Sequence, residues 1–128
     1  MISKIVRTGL AAGLALSIAG AAPASANDAD VIREGSCSGR SDWKLKASPE
    51  NGKIEVEYEV DSNVVGQTWR VRIVKNDNVI FHGTRETRGP SGSFEVRRVT
   101  SNTAGDDTFR ARATNVASGE VCGGRVTF

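Results

Sequence analysis

The sequence is poor in the residues that catalytic and metal centres need. It contains one histidine and two cysteines in 128 residues, too few for the four ligands of a structural zinc site. The histidine, His82, falls on a predicted strand, where a lone histidine is an ordinary surface or packed residue rather than a catalytic base. Aromatic residues make up only 5% of the chain, which excludes the stacking platforms of single-strand nucleic-acid binders. We therefore predict a protein that is not an enzyme and has no cofactor, metal or nucleic-acid partner.

Long apolar runs are also scarce, and the one near the N-terminus has the pattern of an export signal. Lys4 and Arg7 precede an apolar run at residues 9–20, and Ala24-Ser25-Ala26 is a small-x-small cleavage site. The run is shorter than the roughly 20 residues of a membrane-spanning helix. We therefore predict a signal peptide at residues 1–26 and a secreted product that is not bound to a membrane after processing.

Without this signal peptide the charges balance. The chain has 17 Lys and Arg against 15 Asp and Glu, and two of the cations, Lys4 and Arg7, belong to the signal peptide. A balanced remainder disfavours a nucleic-acid partner, which usually selects a basic domain. Its length suffices for one domain. We predict a flexible tail at residues 27–36 and a single monomeric domain at residues 37–128.

From residue 41 onward, apolar and polar residues alternate in short segments, with the period of a β-strand. In the clearest segment an apolar set alternates with an acidic set: Ile54, Val56, Tyr58 and Val60 with Glu55, Glu57, Glu59 and Asp61. Seven such segments are separated by turn-forming residues, and none shows a helical period. The pattern predicts an all-β fold, a seven-stranded antiparallel β-sandwich.

Two of the predicted strands resemble strands of immunoglobulin-like domains. Trp69 on the third strand occupies the place of the buried strand-C tryptophan, and residues 106–115 are similar to strand F. Within that segment Phe109 stands in the place of the corner tyrosine. Ala111 stands in the place of the second cysteine, so the usual disulfide between the sheets is absent. The resemblance implies an immunoglobulin-like sandwich.

The chain also resembles small secreted actinobacterial proteins of unknown function. The matching segments are Cys37-Ser38, Trp43-Lys44-Leu45-Lys46, Val65-Gly66-Gln67-Thr68-Trp69 and Ser91-Gly92-Ser93-Phe94. This resemblance covers most of the chain and implies no particular activity.

The two cysteines, Cys37 and Cys122, predict a disulfide, since two thiols of a small exported domain most simply pair with each other. The bridge would close most of the domain into one loop and stabilise it by about 4–5 kcal/mol. A redox-active pair is the alternative, but the spacing is not that of a C-x-x-C motif.

We interpret the acidic residues as structural. Side chains two apart on a strand lie about 6–7 Å apart and point in parallel, so the acidic row does not converge on a calcium ion. Lys44 and Lys46 would face this row if the first two predicted strands form a hairpin. Asp106 and Asp107, at a turn, are interpreted as turn-capping residues.

Arginine supplies the candidate binding surface. Four arginines surround the loop between the fourth and fifth predicted strands: Arg85, Arg88, Arg97 and Arg98. Four more would form a basic ladder if the third and sixth strands are neighbours, as in immunoglobulin-like sheets: Arg70, Arg72, Arg110 and Arg112. Such rows repel each other unless acids or a ligand lie between them. The acids that could neutralise them are Glu86, Glu95 and Glu120.

Together these observations predict a secreted, non-enzymatic immunoglobulin-like binding or structural domain. Its expected partner is a protein or an anionic cell-envelope polymer. A small-molecule carrier is the alternative, because the enediyne-antibiotic apoproteins resemble this architecture, although they carry two disulfides. A hydrolase that uses carboxylates such as Glu55 or Asp107 is a third hypothesis.

Overall fold

The computed structural model describes residues 29–128, and the predicted signal peptide at residues 1–26 lies outside them. The described chain forms eight β-strands and no helix. They are β1 (Val31–Ser36), β2 (Asp42–Glu50), β3 (Lys53–Asp61), β4 (Thr68–Lys75), β5 (Asn78–Glu86), β6 (Ser93–Ser101), β7 (Thr108–Asn115) and β8 (Val121–Thr127). Accordingly, no helix that could cross a membrane is found among residues 29–128.

The strands form two antiparallel sheets of four strands each, which confirms the all-β prediction. The first sheet has the order β1-β2-β3-β6 and the second sheet the order β5-β4-β7-β8. The chain passes between the sheets after β3, after β5 and after β6. The predicted hairpin between β2 and β3 and the predicted pairing of β4 with β7 are both confirmed.

Alternation along strands such as β3, β4 and β7 gives each sheet one apolar face, and the apolar residues of both sheets belong to one core cluster. On β3 the four apolar side chains are fully buried, while the acidic ones between them are partly exposed. The second sheet contributes Trp69, whose ring centroid lies 6.2 Å from that of Phe94 on the first sheet. The polar faces of the two sheets therefore turn away from this shared core.

Eight strands are present where the sequence predicts seven, and the tail predicted at residues 27–36 is wrong for most of its length. Residues Val31–Ser36 form β1, which pairs with β2 at the edge of the first sheet. The segment lacks clear alternation because four of its six residues are exposed, among them the apolar Ile32. The position of β1 depends on its partners on the neighbouring strand β2: Glu34 lies opposite Lys44, and Gly35 lies opposite Trp43. A Cβ at Gly35 would approach the indole to 2.9 Å, so glycine leaves room for that ring.

The predicted disulfide between Cys37 and Cys122 is confirmed, and it joins the segment after β1 to the start of β8. The two Cα atoms lie 4.3 Å apart, and Cys122 is fully buried. The Tyr58 hydroxyl donates a 2.9 Å hydrogen bond to the Cys122 carbonyl oxygen, and burial raises the pKa of Tyr58. This hydrogen bond links β3 of the first sheet to β8 of the second sheet next to the bridge.

Asp107, before β7, organises the turn between β6 and β7, as the turn-capping interpretation expects. Its buried carboxylate accepts hydrogen bonds from the Thr103 amide at 3.0 Å, from the Thr103 hydroxyl and from the Asn76 side-chain amide at 3.2 Å. The Lys75 ammonium lies 3.9 Å away. Burial alone would raise the pKa of Asp107, but the hydrogen bonds and Lys75 outweigh it and the pKa is lowered.

The lowered pKa predicts an acid-sensitive contribution to stability. The folded domain binds a proton at Asp107 less readily than the unfolded chain does, so this contribution is complete above about pH 4 and is lost as the pH falls through the folded pKa. We expect Asp107→Asn to be less stable than the wild type at neutral pH and to lose less stability on acidification. Urea unfolding at neutral pH and at about pH 3 measures both effects. Asp106→Asn, which changes the exposed neighbouring carboxylate, is the control, and equal acid sensitivity of the wild type and Asp107→Asn would contradict the assignment.

Candidate functional site

The outer face of the second sheet carries a compact group of arginines. On β4 and β7 the arginines alternate with buried residues, which places them on the outer face. The register of these two strands puts Arg72 directly opposite Arg112. On β8, Arg125 lies directly opposite Arg110. The arginine face, as we call this surface, comprises Arg70, Arg72, Arg110, Arg112 and Arg125. All five side chains are exposed.

Arg125 is the member that the sequence analysis missed. The sequence contained the information needed to find it. Cys122 and Val126 are buried on the inner face of β8, and Arg125, next to Val126, therefore lies on the outer face. Pairing of β7 with β8 then brings it beside Arg110. The ladder therefore extends over three strands rather than two.

These arginines have no acidic partner within residues 29–128. The ion pairs of that range involve Lys46, Lys75 and Arg97 and none of the five. Like charges directly opposite each other on neighbouring strands destabilise a sheet. No ion pair within the described chain therefore neutralises the arginine face.

The three acids that could have neutralised the arginines lie elsewhere or at the margin. Glu95 is on β6 of the first sheet, opposite Glu59. The Glu120 carboxylate accepts hydrogen bonds from the Gly39 and Ser41 amides at 3.1 and 2.8 Å. Glu86 lies at the end of the second sheet, opposite Thr68.

A groove runs between the arginines of β4, β7 and β8, with a volume of about 340 Å³. Arg72, Arg110, Arg112 and Arg125 line it, together with Val74, Val121 and Gly123. A smaller recess of about 170 Å³ adjoins it and shares Arg72 and Arg112. His82, directly opposite Arg72 on β5, lines that recess. The arginine face thus combines positive charge with concave surface.

The other four predicted arginines do not join this face. Arg85 and Arg98 are half-buried, and their guanidinium carbons lie 4.7 and 4.5 Å from the ring centroid of Phe81. Such cation–π contacts hold both side chains against the core. Arg97 forms an ion pair with Glu55 on the first sheet, and Arg88 lies in the loop before β6. The side chains of Arg85, Arg98 and Arg97 are therefore engaged in packing or pairing, whereas Arg88 is exposed.

The acidic row lies on the outer face of the first sheet, facing away from the arginine face. Lys46 forms an ion pair with Glu57 at 3.3 Å, and Lys44 lies opposite Glu59, as expected from the sequence. Glu95 lies on the other side of Glu59. Partial burial, followed by repulsion from Glu57 and Glu59, raises the pKa of Glu95. The two sheets therefore expose surfaces of opposite charge, although the overall charge is balanced.

Comparison of the chain with protein-family models, with curated proteins and with solved structures finds no match.

Proposed function

We propose that the chain is a secreted, non-enzymatic immunoglobulin-like domain that binds an anionic polymer of the cell envelope through the arginine face. The observation that carries this proposal is the set of five exposed arginines on adjacent strands without an acidic partner in the described chain. Uncompensated like charges are costly to a sheet, and a bound polyanion would remove that cost.

The strand order supports the immunoglobulin-like assignment. In such domains the strands called C, F and G share a sheet, and a C′ strand can extend it. The order β5-β4-β7-β8 corresponds to C′-C-F-G, with Trp69 on β4 at the place of the buried strand-C tryptophan. The Cys37–Cys122 bridge departs from the usual pattern, because it joins the two ends of the domain.

Export is supported by two independent features. Residues 1–26 have a positively charged start, an apolar run and a small-x-small cleavage site. Structural disulfides persist mainly in oxidising compartments, and both cysteines of the chain are paired.

A polymer fits the arginine face because its charges repeat. Neighbouring strands are about 4.8 Å apart, and alternate residues on a strand are about 6–7 Å apart, so the guanidinium groups form a two-dimensional array. Guanidinium groups bind phosphate and carboxylate groups through paired hydrogen bonds. A chain of linked phosphates could contact several arginines at once, each weak contact adding to the others.

Binding to polyphosphate tests the proposal. We expect the purified, disulfide-bonded protein to bind this probe with an affinity that falls as salt is added, because screening weakens exposed charge pairs. In the double variant Arg72→Glu/Arg112→Glu, the centre of the arginine face repels the polyphosphate instead of attracting it. We expect this variant to bind polyphosphate at least about tenfold more weakly than the wild type at low salt. Isothermal titration calorimetry at two salt concentrations gives both results.

The matched control is Arg33→Glu/Arg88→Glu, which changes the net charge equally at two exposed arginines outside the arginine face. It should retain most of the affinity. Equal weakening in both double variants would show that only net charge matters, and it would contradict a specific face.

A further inference from the structure

The groove within the arginine face has the dimensions of a small-molecule site. Its volume of about 340 Å³ is near the lower end of the range for ligand pockets, about 300–1,000 Å³. Its lining is mixed: Val74 and Val121 are partly exposed apolar residues within a set of four arginines. Attraction of a polyanion to the arginines does not by itself require a groove with an apolar part in its lining.

Gly123 keeps the groove open although the backbone does not require a glycine there. The φ angle of Gly123 is not in the left-handed region, and a Cβ added to it would meet only the Ala111 carbonyl oxygen, at 3.8 Å. The next residue contrasts with it, because a Cβ at Gly124 would overlap the ring of Trp43. Glycine within a strand is destabilising and often marks a place where a ligand approaches the backbone closely. At Gly123 the missing side chain provides space on the outer face, between Arg112 and Arg125.

The arginines and valines that line the groove indicate which kind of ligand fits it. A small inorganic anion would pair with the arginines but would leave the two valines in water. A neutral apolar molecule would cover the valines and leave the guanidinium groups without partners. Guanidinium groups both pair with anions and stack on flat rings, so one molecule with both features satisfies the whole lining.

We propose that the groove around Gly123 binds a small organic anion with a flat apolar body, such as an aromatic carboxylate. This inference rests on the proposed anion-binding role of the arginine face and adds a second class of ligand to it. Because Arg72 and Arg112 line the groove, the small anion and the polymer would compete for the same guanidinium groups.

Filling the groove without changing its charge tests this inference. We expect 2-naphthoate to bind the wild type about tenfold more tightly than inorganic phosphate or the neutral 2-naphthylmethanol. Gly123→Val should weaken naphthoate binding by about tenfold, and Gly123→Ala should have a smaller effect because it fills less space. Titration calorimetry, with competition against polyphosphate, measures each affinity. Valine is favoured in strands, so we expect the variant to fold, and circular dichroism checks this.

The matched control is Thr84→Val, which adds a valine to the outer face of the second sheet on β5, outside the groove. It should leave naphthoate binding unchanged. The inference is overturned if naphthoate binds no more tightly than phosphate, or if Gly123→Val and Thr84→Val bind it equally. In either case polyphosphate binding that depends on Arg72 and Arg112 would leave the proposed function standing. If polyphosphate binding did not depend on those two arginines, the proposed function would itself fail.

Discussion

Reduction of the Cys37–Cys122 disulfide is expected to lower the free energy of unfolding by about 4–5 kcal/mol. The cysteines are 85 positions apart, so the bridge closes a long loop and lowers the conformational entropy of the unfolded chain. In the folded state their neighbours are held independently of it: the Ser38 amide donates a 2.8 Å hydrogen bond to the Val121 carbonyl oxygen. Reduction therefore acts mainly by raising the entropy of the unfolded state. The expected decrease in the free energy of unfolding is comparable to the total stability of a small domain, about 5–15 kcal/mol. Urea unfolding with and without reductant, followed by circular dichroism, measures the difference.

The control for this experiment is Cys37→Ala/Cys122→Ala, which cannot form the bridge. It should unfold near the urea concentration of the reduced wild type and should not respond to reductant. A change below about 1 kcal/mol on reduction would mean that the unfolded chain keeps its ends together without the bridge.

Trp69→Ala is expected to lower the free energy of unfolding by about 3–5 kcal/mol, the usual range for removing a large buried aromatic side chain. Trp69 is fully buried on β4 and packs against Phe94 of the first sheet. Its indole nitrogen donates a hydrogen bond of 3.2 Å to the Gln67 side-chain oxygen. The substitution would open a cavity between the sheets and leave Gln67 without this donor.

Trp69→Phe separates the two contributions, because it keeps a ring in the core and removes the indole donor. We expect a smaller loss, about 1–2 kcal/mol. Urea unfolding followed by circular dichroism ranks the variants, and the fluorescence of the remaining Trp43 reports separately on the region near β1 and β8. A cost for Trp69→Ala below that of Trp69→Phe would contradict the central position assigned to this residue.

The strands that the sequence predicts well are those that pack on a full apolar face. On β3 every second residue is buried, so the alternation alone places the strand and its acidic row. β1 was missed because it is an edge strand, exposed along most of its length, whose position depends on β2 and on space for Trp43. Local alternation cannot reveal a strand whose contacts are supplied mainly by distant residues.

The sequence predicted four of the five members of the arginine face and added four arginines that lie elsewhere. The alternation of side chains between the two faces of a strand explains why Arg98 was misplaced. Arg70 and Arg72 alternate with buried neighbours, which correctly indicated one face. Arg98 shares the parity of Phe94 and Val96, so its side chain turns toward the core side and reaches Phe81 instead of the arginine face. Proximity in sequence grouped it with Arg97, although adjacent residues on a strand point to opposite faces. The groove could not be predicted at all, because it depends on the registers that align β4, β7 and β8.

The position of the disulfide also determines how the domain responds to a pulling force. Force applied at the two ends of the described chain would pass through the bridge rather than through the strands between Cys37 and Cys122. Only residues 29–36 and 123–128 could then be pulled out, and their combined length when fully extended is about 50 Å. Breaking the bridge would release the intervening chain, which is about 300 Å long when extended. An oxidised domain would therefore act as a nearly inextensible link, and reduction would convert it into a long, compliant one.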